Sequence, residues 1–332
     1  MEIVFESIRE DSPGPRWQAL FQRHWEAYRG WFLSEGERAR PSYLASVRAL
    51  RRHMPELLPT YEALVEATGG GDLAARLLSL YRPPPYQTAC SQAVWLGRPP
   101  LLVRNYDYSI QLLEGVILNT RWNGRRVIAM NDCLWGAVDG MNEDGLAVSL
   151  TFGGRRNVGE GFGVPLILRY ILEFCTTTGE AVAVLRRVPT HMSYNVTAVD
   201  RTGRFSTVYL TPDRPPVVRP VAVATNHQER VEWHQHARAT ATLERERFLK
   251  FRLRESGDEP DRLIEAFLNP PVYSTAFGRG FGTLYTAVYR PVEGTVEYLW
   301  PSGSWRQSFA DFQEGVRAVH FPHVPEGLPM KH

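Results

Sequence analysis

Cysteine is scarce in this 332-residue chain: Cys90, Cys133 and Cys175 are the full set. An odd, sparse count excludes a disulfide scaffold and suits a reducing compartment. Net charge is slight as well, +2 from 38 basic and 36 acidic residues. That removes the electrostatic case for a nucleic-acid or anionic-membrane partner. Long apolar runs are also missing. The longest, VPLILRYILEF at 164–174, is interrupted by Arg169 and is too short to cross a bilayer. The N-terminal MEIVFESIREDSPGPRW has no basic stretch followed by an apolar one, so no secretory signal is read there. The expectation is a soluble, cytoplasmic protein. Hydrophobic residues at 43% and charged residues at 22% exclude wholesale disorder. The length allows two domains or one large one, with a sizeable core either way.

The first 80 residues read as helical. Trp17, Leu20, Phe21, His24, Trp25 and Tyr28 share one helical face. A second helix is expected from Pro41, and a third from Leu57 to Val65. Gly69-Gly70-Gly71 reads as a helix stop rather than a phosphate cradle, because no strand precedes it and no GK[ST] follows. The prolines of Tyr81–Tyr86 form an extended connector. Behind it SQAVWL, LLVRNYDY, GVILNT, RVIAM and LAVSLTF read as strands. VDGMNEDG, before LAVSLTF, reads as a turn-rich stretch, and 153–163 as a loop. Helices are expected at 164–176, 179–188, 228–254 and 258–268, and strands at 192–200, 204–210, 217–224, 283–290 and 295–300. Strands come in adjacent groups, not in βαβ alternation. That pattern gives an α+β fold with antiparallel sheets and helices on their outer faces.

Cys90 opens the first strand after the connector. A thiolate there is a strong nucleophile, and a small thiol there is equally compatible with plain core packing. Fourteen residues on, Arg104-Asn105-Tyr106-Asp107 returns beside it on the second arm of a hairpin. An arginine next to a thiol favours the thiolate. Asn226, in Ala224-Thr225-Asn226-His227, can donate to an oxyanion or cap a following helix. His227, His234 and His236 are too irregularly spaced along a helix to make a metal site. Cys133 and Cys175 read as core, and Glu244–Arg254 as a solvated helix face.

Cys90, RNYDY, GMNEDGLAVSLTF, SYNVTAVD and ATNH stand in the order found in autoproteolytic cysteine N-terminal-nucleophile (Ntn) hydrolases. Over residues 86–300 the chain resembles the acyl-coenzyme A:6-aminopenicillanic acid acyltransferase branch, peptidase family C45. Choloylglycine hydrolases and penicillin V acylases are more distant relatives. The resemblance implies an αββα sandwich and self-cleavage between Ala89 and Cys90. A helical leader, 1–89, would remain associated with a core, 90–332. It implies Cys90 as nucleophile with its freed α-amine as base, Arg104 and Asp107 beside it, Asn226 in the oxyanion hole, and Thr151 completing that hole. It implies no cofactor and no metal, with a small-molecule amide or acyl thioester as substrate. Assembly is left open, a homo-oligomer included. One departure stands out. Choloylglycine-type relatives carry an arginine just before a late Tyr-Thr pair, where this chain has Leu284 before Tyr285-Thr286, with Arg279 out of register. That argues against a bile-salt or penicillin V specificity. Two other readings compete: an uncleaved thiol enzyme using His191 or His227 as base, and an inactive binding module of the same fold.

Overall fold

Apolar, β-branched segments separated by short turns dictate sheets, and each sheet must bury a face. A computed structural model describes residues 2–321. The outer ends of the two expected segments, residue 1 and residues 322–332, lie outside that range. Numbered in chain order, one sheet contains β1 (Glu2–Glu10), β4 (Val116–Thr120), β5 (Val127–Asp132), β6 (Gly136–Asn142) and β7 (Leu146–Phe152). It continues with β8 (Tyr194–Asp200), β9 (Phe205–Leu210), β10 (Val217–Arg219) and β16 (Gly315–His320). Their spatial order is β10-β9-β8-β7-β6-β5-β4-β1-β16. The second sheet runs β11 (Val223–Ala224), β2 (Ala89–Trp95), β3 (Leu101–Tyr108), β13 (Phe281–Arg290), β14 (Thr295–Trp300) and β15 (Gly303–Ser308), with β12 (Thr275–Ala276) paired to β13. Neighbouring strands are antiparallel except for the parallel pair β1–β4.

The sheets face each other where β2 and β3 meet β7. Helices α5 (Val164–Phe174) and α6 (Thr178–Arg187) cover the nine-stranded sheet, and α8 (Thr242–Glu255) and α9 (Pro260–Phe267) cover the other. The result is the expected αββα sandwich. Short α7 (His234–Ala239) precedes α8, and α1 (Pro15–Phe32), α2 (Tyr43–His53), α3 (Leu58–Ala67) and α4 (Asp72–Leu78) form the leader's helical cluster.

Several expectations need correction. The leader is not all helical: Glu2–Glu10 is a strand, hydrogen-bonded on both sides by β4 and β16. Part of the turn-rich stretch at 138–145 belongs to β6, and the turn is confined to the residues after Asn142. The helix expected over 228–254 starts at His234 and breaks at Ala241, whose φ of 47° is left-handed. The final strands β15 and β16 were not expected at all. The described residues before 90 also share their core with the rest of the chain. Phe5, Trp17, Leu50, Tyr61 and Leu78 belong to the same apolar cluster as Ile128, Trp135 and Ile167. Trp17 Nε1 donates to Leu134 O at 2.8 Å, and Trp135 Nε1 to Leu78 O at 2.8 Å.

Candidate active site

Residues directly opposed in an antiparallel pair share a face. Cys90 opposes Tyr106, Gln92 opposes Arg104, and Ala89 opposes Asp107. Ala93, Val103, Trp95 and Leu101 pack with Leu249, Leu263 and Phe267 of α8 and α9, so their face is the outer one. By alternation Ser91, Asn105 and Asp107 point outward too, while Cys90, Gln92, Arg104 and Tyr106 point between the sheets. Arg104 and Asp107 therefore approach Cys90 from opposite sides of the sheet.

On the inner side, Arg104 Nη2 lies 3.4 Å from Cys90 Sγ, and Thr88 Oγ1 lies 3.6 Å from it. Arg104 is fully buried and firmly held. Its Nε donates to Leu150 O at 3.1 Å, its Nη1 pairs with Asp139 and reaches Tyr285 Oη at 3.0 Å, and its guanidinium lies over the Tyr106 ring. Asp139 also accepts from Tyr285 at 2.5 Å and from Tyr289. Burial opposes the Arg104 charge, but Tyr285, Asp139 and Cys90 outweigh it and keep the guanidinium protonated. Burial pushes the Cys90 thiol up, and Asp107 adds to this. Arg104 and Thr88 oppose the rise.

On the outer side, Cys90 N, still in its peptide bond with Ala89, donates to Asn226 Oδ1 at 3.1 Å. Edge strand β11, paired to β2, carries Asn226 to this point. No helix starts there, since α7 begins at His234, so Asn226 is not a helix cap. Its Nδ2 donates to Phe152 O at 3.3 Å. Asp107 Oδ1 accepts from Thr283 Oγ1 at 2.7 Å. Burial raises the Asp107 carboxyl to about 6, against the pull of Arg245, Thr283 and Arg104.

The structure thus brings Cys90, Arg104, Asp107 and Asn226 into one cluster. Thr151 sits at its margin: its Oγ1 donates to Thr225 O at 2.8 Å and accepts from Asn195 Nδ2 at 3.1 Å. Arg279 is exposed in a turn before β13, outside the cluster. The histidines proposed as alternative bases have partners elsewhere. His191 is fully buried against Phe162 O, with burial lowering its pKa to about 4, and His227 bonds Thr242 Oγ1 at 3.0 Å. Among the described residues no group of three or more His, Cys, Asp or Glu side chains is arranged to hold a metal ion. No described helix is long and apolar enough to cross a membrane.

Sequence reasoning missed Arg245. The expectation of a solvated face over 244–254 fails at this position, because Arg245 is 2% exposed. Its Nη1 donates to Cys90 O at 2.9 Å, Ser91 Oγ at 2.7 Å and Asp107 Oδ2 at 3.2 Å, and its Nη2 donates to Asn226 Oδ1 at 2.6 Å. A signal was present. Thr242, Arg245 and Leu249 are the buried residues of α8, spaced as one helical face, and the arginine occupies a position meant for a core side chain.

The family model described as acyl-coenzyme A:6-aminopenicillanic acid acyl-transferase matches residues 95–305, a span that holds Arg104, Asp107, Asn226 and Arg245 and begins just after Cys90. Among solved structures the chain is similar to penicillin V acylase from Agrobacterium tumefaciens, at 14% identity over 69% of this chain and 90% of that one, with a TM-score of 0.48. It is similar to a mutant conjugated bile acid hydrolase from Clostridium perfringens, at 12% identity over 73% and 99%, with a TM-score of 0.47. It is also similar to a Caenorhabditis elegans N-acylethanolamine-hydrolyzing acid amidase ortholog, at 17% identity over 70% and 100%, with a TM-score of 0.46. No curated protein matches significantly.

Proposed function

Since the chain belongs to the acyl-coenzyme A:6-aminopenicillanic acid acyl-transferase family, we propose that it is a self-processing cysteine Ntn enzyme that cleaves or transfers acyl groups of small-molecule amides or acyl thioesters through an acyl-Cys90 intermediate. The observation that carries this reading is the convergence on one residue. The Cys90 sulfur faces Arg104, and its backbone nitrogen faces Asn226.

Self-cleavage is an N-to-S shift. The Cys90 sulfur adds to the Ala89 carbonyl carbon, the C–N bond breaks, and the leaving nitrogen takes up the thiol proton. Water then hydrolyses the thioester, restores the thiol and leaves Ala89 with a free carboxylate. Fragments of 89 and 243 residues result. Before cleavage the Cys90 nitrogen is an amide and cannot act as a base. Afterwards it is an α-amine with a pKa of about 7.7–8.0, poised to take the thiol proton at neutral pH.

In the processed enzyme the thiolate attacks the substrate carbonyl, with Arg104 stabilising the sulfur charge. Asn226 Nδ2 donates to the developing oxyanion, with Thr151 at the edge of the same hole. Asp107 holds the α-ammonium in place. The departing amine or thiol takes the proton from the α-ammonium, which returns to the free amine. Water or an acceptor amine then releases the acyl group and regenerates Cys90.

Intact mass of the purified protein beside Cys90→Ala tests this directly. Two fragments in the wild type, the larger beginning at Cys90, with an uncut variant, is the expected outcome. A wild type that stays whole would remove the α-amine and overturn the reading.

A further inference from the structure

We propose that the acyl group handled at Cys90 carries a protonated amine: Asp132, set in a ring of tyrosines on the sulfur side of the nucleophile, is its receptor. This rests on the acyl-Cys90 reading above.

The two sides of the sheet decide which part of the substrate lies here. Cys90 Sγ points between the sheets beside Arg104, whereas Cys90 N meets Asn226 on the outer side. The acyl group stays on sulfur, so it occupies the inner side, and the departing group leaves past the nitrogen. Tyr106, opposite Cys90, and Tyr108, two positions on, share that inner face. Their ring centroids are 5.5 Å apart. Tyr86 of the connector and Tyr194 of β8 stand 6.3 Å apart. Tyr28 of α1 completes the ring. Asp132, the last residue of β5, acts electrostatically on all five phenols. It keeps partial solvent exposure, as do Tyr28, Tyr86 and Tyr108, so the ring is open to a ligand.

Two unmet needs point to a cation. Glu114 lies beside Asp132 and is well supplied: Tyr28 Oη donates to it, as do Asn131 Nδ2 at 2.6 Å and Leu134 N at 2.8 Å. Asp132 is left with Tyr28 Oη at 3.2 Å and the Cys133 amide. The single Tyr28 proton cannot serve both carboxylates. Among the described residues neither carboxylate has an ion-pair partner. Arg104 draws on Asp132 from farther off, but it is paired with Asp139. Burial first, and Glu114 second, push the Asp132 carboxyl up, so its charge is costly without a counterion. The second need is independent of charge. Asn131 is 1% exposed, and the amide that serves Glu114 through Nδ2 leaves Oδ1 with no hydrogen-bond partner. A carboxylate without a cation and a buried acceptor without a donor are both answered by an ammonium, which brings a positive charge and N–H groups together. Aromatic rings around such a charge add to its attraction. A neutral acyl chain answers neither need, and an acidic one is repelled.

The processed enzyme is offered ω-aminoacyl 4-nitroanilides of increasing chain length, each beside the neutral alkanoyl compound of the same length. At the length that fits, the amino compound is expected to show a kcat/KM about tenfold or more above its neutral twin. In Asp132→Asn, which keeps the shape and removes the charge, that ratio is expected to fall to about one. Asp258→Asn, at an exposed position, is expected to keep the wild-type ratio. Neutral chains hydrolysed as fast as amino chains at every length would overturn the inference and leave the acyl-Cys90 reading intact. An unchanged ratio in Asp132→Asn would do the same. Where no anilide of either kind is hydrolysed, protection of Cys90 from iodoacetamide by the corresponding primary amides, read by intact mass, decides. Stronger protection by an amino chain supports the cation site, and equal protection refutes it. Should Asp132→Asn remain uncut, the wild-type comparison decides alone. A wild type that never cleaves overturns both this inference and the reading beneath it.

Discussion

Asn226 reaches the site at the end of a two-residue strand, and its side chain is held at both ends. Asn226→Ala removes the oxyanion donor without adding bulk. The turnover of an activated amide should fall about 10²–10³-fold, while the mass of the processed chain shows whether cleavage was slowed as well. Near-normal turnover would take Asn226 out of the hole. At this scale the sequence was partly legible. Cys90, Arg104 and Asp107 could be placed together because a short hairpin brings 104–107 back alongside Cys90, which pairs with Tyr106. Asn226 could be placed because an apolar strand runs straight into it. Arg245 was hidden by its neighbours. In TLERERFLKFRLRE the charges alternate so densely that one buried guanidinium looks like the exposed ones beside it.

Among the elements, those with alternating apolar residues were readable and those shaped by close approach were not. Strand β6, GAVDGMN, looks like a turn by composition, yet all seven of its residues are buried. Its glycines serve contact with helix α5 and strand β5. A Cβ on Gly140 would come within 2.7 Å of Leu172 Cδ1 and 2.8 Å of Ala129 Cβ. Gly140→Ala should therefore lower stability by about 1–3 kcal/mol, read as a fall in thermal midpoint with self-cleavage retained at lower temperature. An unchanged midpoint would mean that α5 can retreat. Its Asp139 is equally misleading in sequence, because it is not a turn residue but the buried partner of Arg104. Strands β15 and β16 escaped notice for the opposite reason. They are largely exposed and lack an apolar alternation. Strand β1 was hidden by the strong helical periodicity that begins a few residues later, at Trp17.

For the whole molecule, the question is what cleavage at Ala89 would leave connected. The first 89 residues give β1 to the nine-stranded sheet, between β4 and β16, and their apolar side chains to a core shared with residues beyond 90. Breaking one peptide bond removes none of these contacts. The two fragments should co-elute on gel filtration in native buffer and separate in denaturant. Fragments that part without denaturant would contradict the shared core.

The position of β1 has a consequence for how the chain is made. It leaves the ribosome before any residue of the cluster, yet one of its neighbours, β16, leaves after all of them. Every clustered residue, from Thr88 to Tyr289, has been translated before β16 exists. A chain that stalls in that interval carries the whole candidate chemistry while one side of β1 has nothing to pair with. Synthesis of β16 therefore adds nothing to the reacting groups. It closes the sheet on the second side of the segment that self-cleavage would separate from the rest of the chain.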